Sequence, residues 1–129
     1  MTAARLEHIN ITVNDSRATA AALCDLFDWK IRWEGSAMNG IGYTCHVGTD
    51  DDYLAVYSPG NGVKRQQERD YETGAAMNHV GLIVDDLDAM EGRVKAAGYS
   101  TRLHADYEPG RRFYFDGPDG IEFELVSYE

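Results

Sequence analysis

His8 and His79 stand at matching places in two copies of one sequence pattern. LEHINITVND, starting at Leu6, aligns with MNHVGLIVDD, starting at Met77, and sets His8 over His79. Near the far end of each copy, YLAVYS (53–58) aligns with EFELVS (122–127) and sets Ala55 over Glu124. These segments alternate apolar and polar residues, as a strand with one buried face does. Ile9, Ile11, Val13, Leu54, Val56, Val80, Leu82, Val84, Ile121, Phe123 and Leu125 make the apolar face, which is predicted to pack under helices. The opposite face carries His8, Asn10, Thr12, Tyr53, Ala55, Tyr57, His79, Gly81, Glu122 and Glu124. Two imidazoles and two carboxylates on one face are too polar for an ordinary core. Two histidines with one carboxylate form a facial triad, which fills half an octahedron around a divalent ion and leaves positions for substrate and water. Either Glu122 or Glu124 can supply the carboxylate on this pattern alone.

The elements that must carry these residues also come in two sets. In the first copy, Asp15 or Ser16 caps a helix whose buried stripe holds Leu23, Leu26 and Phe27. Strands follow at about 29–35, 41–47 and 53–58, separated by glycine-bearing turns. In the second copy, Asp85 or Asp86 caps a helix with Leu87, Met90, Val94 and Ala97 on one stripe and Gly98 as its stop. Gly92 inside that helix costs about 1 kcal/mol relative to alanine. Strands follow near 99–105, 111–116 and 121–127. Each copy reads β-α-β-β-β. The expected class is α+β, with modules 5–58 and 77–128 forming one curved, barrel-like mixed sheet that has its helices on the outer face. Residues 59–76, which open SPGNG and continue through the charged run Lys64–Glu72, are expected to be a solvated connector or lid.

Bulk composition narrows the function. Twenty-two acids against 12 bases give a formal charge of −10 over 129 residues. Such a chain is a poor partner for nucleic acid or for anionic membranes. No apolar run approaches the roughly 18–20 residues of a membrane span, and the residues before the first strand form no signal-peptide pattern, so the expected location is the cytoplasm. Cys24 and Cys45 form no CxxC motif; Cys24 lies in an apolar helical stretch and is expected in the core.

With LEHINITV, NHVGLIV and GPDGIEFELV in paired β-α-β-β-β modules, the chain resembles the vicinal oxygen chelate superfamily over about residues 5–128. Its members include glyoxalase I, methylmalonyl-CoA epimerase, extradiol dioxygenases, fosfomycin-resistance thiol transferases and bleomycin-binding proteins. The resemblance places ligands at His8, position 55, His79 and Glu124. Position 55 is Ala, where glyoxalase I has a carboxylate and the epimerases Gln, so the remaining set is closer to that of the dioxygenases and fosfomycin transferases. Asn10 stands where the fosfomycin enzymes usually have Thr. Tyr114 matches the tyrosine that hydrogen-bonds the bound diol in extradiol dioxygenases. The resemblance thus implies a divalent-metal enzyme acting on a small molecule held through two neighbouring oxygens, by dioxygenase-like or lyase/isomerase-like chemistry. Fe or Mn suits ring-cleaving oxygenation, and Zn or Ni suits isomerase or lyase chemistry. Tyr114 and Glu122 are the catalytic candidates. Glu122, ~6.5–7 Å along the strand from Glu124, is placed as a second-sphere base or as a group orienting a ligand histidine. The alternative is a non-catalytic antibiotic-binding protein of the bleomycin-resistance kind, for which the acidic surface suits a cationic drug. A two-fold homodimer is expected, because two half-barrel sheets leave edges and aromatic surface to cover.

Other residues invite chemistry less strongly. His46 follows Cys45 on a strand, where neighbours face opposite ways, so the pair does not act together. His104 reads as packing or surface. Arg111 and Arg112 have the fork geometry to anchor an anionic group. Trp33, Tyr53 and Tyr57 suit either a planar ligand or packing.

Overall fold

A computed structural model describes residues 2–37, 40–64, 69–107 and 110–128. The chain divides into two compact units, Met1–Gln66 and Gln67–Glu129. The first runs β1 (His8–Thr12), α1 (Ser16–Phe27), β2 (Lys30–Ser36), β3 (Tyr43–Gly48) and β4 (Tyr53–Ser58). The second runs β5 (Val80–Ile83), α2 (Leu87–Ala96), β6 (Thr101–Tyr107), β7 (Gly110–Asp116), a single 3-10 turn at Pro118–Gly120, and β8 (Glu122–Ser127). Each unit is the predicted β-α-β-β-β module, and the class is α+β.

The strand orders are the same in both: β1-β4-β3-β2 and β5-β8-β7-β6. In each, the first strand pairs parallel with the last, and the remaining pairs are antiparallel. The parallel pair is what sets a histidine at the start of one strand near the residues of the central strand beside it. Asn10 pairs with Ala55 and Gly81 with Glu124, so the sequence alignment of Ala55 on Glu124 is also a structural one.

Each helix starts where an aspartate supplies an acceptor for an otherwise unpaired amide. Asp15 accepts from the Ala18 backbone at 3.1 Å and Asp86 from Ala89 at 3.0 Å. Caps of this kind stabilise a helix by about 1 kcal/mol. Gly98 closes the second helix with φ +99°, a left-handed conformation that costs glycine little. Gly92 faces open space, so no close approach demands it.

α1 packs on β3, β4 and β2. Leu23, Leu26 and Phe27 meet Cys45, Val47, Leu54 and Val56 there to form the first core. Leu87 and Val94 of α2 are buried together with Val80, Phe113, Phe115, Phe123 and Leu125 in the second. The predicted apolar face therefore holds, except at the sheet edge. Ile9 is exposed because β1 is an edge strand and α1 lies over the strands beyond it. Cys24 is only half-buried, whereas Cys45 is fully inside; neither is in a disulfide. Met90 is half-buried and Ala97, at the helix end, is exposed.

The described part of the 59–76 connector is exposed almost throughout, as expected, with only Pro59 and Arg69 half-buried; residues 65–68 lie outside the described residues. Asp70 accepts from the backbone amides of Glu72 and Thr73 and from the Thr73 hydroxyl, which ties residues 70–73 into a local turn. Those bonds hold the Asp70 carboxyl below its ordinary range. The turn presents Arg69 and Tyr71 to the second sheet.

Candidate metal and substrate site

In the second unit the polar face is built on β8, a strand buried along its whole length. Glu122 and Glu124 are only 2% and 8% exposed. Burial at that level requires partners, since an unpaired buried charge is costly. The pairing on either side supplies them: Glu124 lies across from Tyr114, Glu122 from Asp116, and Tyr114 in turn from Arg102.

Glu124 is held from two directions. Its Oε1 accepts from Arg112 Nη1 at 2.8 Å, and its Oε2 lies 2.8 Å from His79 Nε2. The other ring nitrogen, His79 Nδ1, donates to Asn78 Oδ1 at 2.7 Å. Asn78 Oδ1 is an acceptor only, so the Nδ1 proton is committed there. A neutral His79 then turns the Nε2 lone pair toward a carboxylate oxygen. Two acceptors 2.8 Å apart need a proton or a cation between them. The Tyr114 ring meets His79 edge-on, with centroids 5.5 Å apart and planes at 85°.

Glu122 is pinned differently. Its Oε2 accepts from the Tyr71 hydroxyl at 2.8 Å and from Arg102 Nη2, and lies 3.6 Å from Arg69 Nη2. Its Oε1 faces His79 Nδ1 at 3.9 Å. Arg69 and Arg102 also share Asp116, at 2.8 and 3.0 Å. Burial opposes ionisation of Asp116, but the two guanidinium hydrogen bonds outweigh it and hold its carboxyl below the ordinary range. Tyr71 has φ +61°, an uncommon conformation for a bulky residue and a strain that its bonds to Glu122 and Arg69 offset.

The same face of the first unit is aromatic rather than ionic. His8 stacks on Tyr53 with centroids 5.0 Å apart, Tyr53 on His46 at 4.5 Å, and His46 meets Trp33 at 5.1 Å. The Arg32 guanidinium lies 4.5 Å over the Tyr53 ring. His8 Nδ1 donates to Glu7 Oε1 at 2.6 Å, and the Tyr53 hydroxyl donates to the same oxygen at 3.2 Å. The bond from His8 holds the Glu7 carboxyl below its ordinary range. Burial pushes the His46 imidazole down, and the neighbouring His8 and Arg32 add to that, so His46 favours its neutral form. Ala55, paired with Asn10 and His46, is itself buried.

Strand pairing thus matches the halves residue for residue: His8 with His79, Tyr53 with Glu122, Ala55 with Glu124, His46 with Tyr114 and Trp33 with Arg102. The family model described as Glyoxalase/Bleomycin resistance protein/Dioxygenase superfamily matches residues 5–125. The chain belongs to this superfamily. A search of curated proteins finds no match. Among solved structures, the chain is similar to a glyoxylase/bleomycin resistance protein/dioxygenase domain from Frankia sp. EAN1pec. That pair is 19% identical with a TM-score of 0.81, over 98% of this chain and 98% of that one. It is also similar to the fosfomycin resistance protein FosX from Listeria monocytogenes, a structure complexed with Mn(II) and sulfate ion. There the identity is 22% and the TM-score 0.74, over 98% of this chain and 93% of that one. FosX from Mesorhizobium loti is 23% identical with a TM-score of 0.71, over 97% and 92%. At these identities the likeness is one of fold, and a single fold of this kind hosts many reactions.

Within this superfamily fold, the predicted site residues distribute as follows. His79, Glu122, Glu124 and Tyr114 gather on one face of the second unit. His8 stands at the matching place in the first. Among the described residues, no three His, Cys, Asp or Glu side chains cluster as a metal-ligand set. Arg111 and Arg112 do not act as a pair, because strand alternation sends Arg111 to Asp88 on the helix side and Arg112 to Glu124. His104 also falls on the helix side. A bulge in β6, with Leu103 at φ +55°, turns it onto Glu91 of α2. Glu91 additionally accepts from Thr101. Sequence reasoning missed Glu7, Asn78, Arg69, Tyr71 and Arg102. For Glu7 and Asn78 a signal was present, since each directly precedes a candidate ligand histidine and carries a side-chain oxygen. His46, which follows Cys45, lies on the polar face opposite Ala55, as alternation alone requires.

Proposed function

We propose that the chain is a divalent-metal-dependent enzyme acting on a small molecule that binds through two neighbouring oxygens, with His8, His79 and Glu124 as the metal ligands. The observation that carries this reading is the meeting of His79 Nε2 and Glu124 Oε2 at 2.8 Å, with the remaining polar atoms of both side chains engaged elsewhere. Adjacent ligands of an octahedral ion with bonds of about 2.1 Å lie about 3.0 Å apart, which this pair satisfies with little movement. Asn78 fixes the tautomer that frees Nε2, and Arg112 leaves Glu124 one oxygen to offer. The donor set of two nitrogens and one oxygen suits Mn, Fe, Zn or Ni, and the FosX structure from Listeria monocytogenes contains Mn(II). When bound, the ion supplies Lewis-acid polarisation of the substrate oxygens.

The chain's own residues then have separate tasks. Arg112 orients Glu124. Tyr114, beside His79, hydrogen-bonds a substrate oxygen. Glu122 is tied to Arg102 and Tyr71, which suits a group that steadies its surroundings better than a free base. The three ligands belong to a site closed within one chain or across a two-fold homodimer, in a single domain built of both modules and working in the cytoplasm.

A second reading has an observation of its own. The ring row of His8, Tyr53, His46 and Trp33 suits capture of a planar molecule without catalysis, as in bleomycin-resistance proteins. One experiment separates the readings. Metal-stripped protein is incubated with Mn(II), Fe(II), Zn(II) or Ni(II) and passed through gel filtration with light scattering and metal analysis. The enzyme reading expects one retained ion per chain, in a peak of about twice the 14.4 kDa chain mass. A peak that retains none of the four metals overturns it, and a mass near 14.4 kDa overturns the homodimer.

A further inference from the structure

The two candidate ligand histidines are braced by the same local device. In each, the residue directly before the histidine accepts the Nδ1 proton on a side-chain oxygen: Glu7 Oε1 at 2.6 Å from His8, and Asn78 Oδ1 at 2.7 Å from His79. In each, a residue of the neighbouring parallel strand lies beside the ring. Tyr53 stacks on His8 with planes only 11° apart, while Glu122 places an oxygen 3.9 Å from His79 Nδ1. The two braces differ in charge, because one acceptor is a carboxylate and the other an amide. Free histidine carries its proton mainly on Nε2, so both braces work against the intrinsic preference and turn an unprotonated Nε2 outward.

We infer that Glu7, backed by Tyr53, is a positioning residue that holds His8 in the tautomer offering Nε2 as a donor atom. Tyr53 contributes in two ways. Its ring fixes the plane of the imidazole, and its hydroxyl donates to the oxygen that His8 uses, so the Glu7 side chain is held at the ring. Strand pairing reinforces the arrangement, with the Tyr53 amide donating to the Glu7 carbonyl at 3.2 Å. Glu7 thereby joins His8 in a carboxylate–imidazole pair, which raises the donor strength of the ring beyond what Asn78 gives His79.

The functional weight of this inference rests on His8 being a metal ligand, and the test separates the two claims. Protein labelled with 15N-histidine, metal-free and at about pH 8.5 to keep imidazoles neutral, is examined by two-bond 1H–15N correlation NMR, with His8→Gln identifying the His8 signals. The expected result is Nδ1–H at His8 in the wild type, a shift toward Nε2–H in Glu7→Ala, and retention of Nδ1–H in Glu7→Gln, which keeps an acceptor oxygen. Nε2–H in the wild type, or an unchanged tautomer in Glu7→Ala, overturns the inference. Mn(II) titration of the same proteins is read separately. Loss of the brace weakens binding about 10- to 100-fold when the histidine is a ligand. A tautomer that shifts while Mn(II) affinity stays constant upholds the role of Glu7 and removes His8 from the ligand set.

Discussion

Glu124→Gln lowers the affinity of the protein for Mn(II) by about a hundredfold or more, on the proposed ligand set. Disturbing a residue that braces a ligand costs about 10- to 100-fold in metal affinity, and the loss of a ligand's charge costs at least as much. The substitution keeps the shape of the side chain. Gln retains an oxygen for Arg112 Nη1, which now lies 2.8 Å from Glu124 Oε1, so the fold is not expected to fail. The amide nitrogen would replace an oxygen opposite His79 Nε2 and donate to it, occupying the lone pair that the ion needs. Isothermal titration of metal-stripped wild type and variant measures the difference. Equal affinities, with circular dichroism showing both proteins folded, would remove Glu124 from the site.

The second large effect concerns stability. Arg112→Ala is expected to destabilise the protein by about 3 kcal/mol, because it leaves the Glu124 carboxylate buried without its guanidinium. Both side chains of this pair are close to nine-tenths buried, at 12% and 11% exposure, so water screens it little. Arg111→Ala provides the internal comparison. Its partner Asp88 is 75% exposed, and surface pairs of that kind are worth at most about 1 kcal/mol. Urea denaturation of the three proteins gives the two differences. Equal costs for the two arginines would show that Glu124 does not depend on Arg112. A double variant, Arg112→Ala with Glu124→Ala, should recover part of the loss, since the uncompensated charge is then gone.

Much of this was legible in the sequence because duplication and alternation are strong constraints. Two strands that align residue by residue and pair in the same order must set His8 and His79 at equivalent places, and the register of Gly81 with Glu124 confirms the offset between the copies. The buried face was legible for the same reason, as at Phe123 and Leu125. The edge was not. Ile9 alternates like a core residue, but exposure at an edge strand depends on where the helix lies, which the strand's own pattern does not encode. The charge of the connector points to its exposure but not to its partners. Arg69 and Tyr71 reach Asp116 and Glu122, residues some fifty positions away, and such partners are invisible to local pattern. The bulge at Leu103 that turns His104 onto Glu91 carries no glycine to announce it. Arg102 carries no signal in the sequence and Arg112 offers only a general anion anchor; the pairing of β6, β7 and β8 is what brings both to buried carboxylates.

The central claim is that one ion is bound by two imidazoles and one carboxylate of this chain. Electron spin-echo envelope modulation of protein loaded with Mn(II) tests it most directly, because coordinated nitrogen couples to the metal's unpaired electrons. The account predicts nitrogen modulation from two imidazoles in the wild type, from one in His8→Ala and from one in His79→Ala. Modulation from no imidazole in the wild type, or a wild-type spectrum unchanged in either variant, contradicts it.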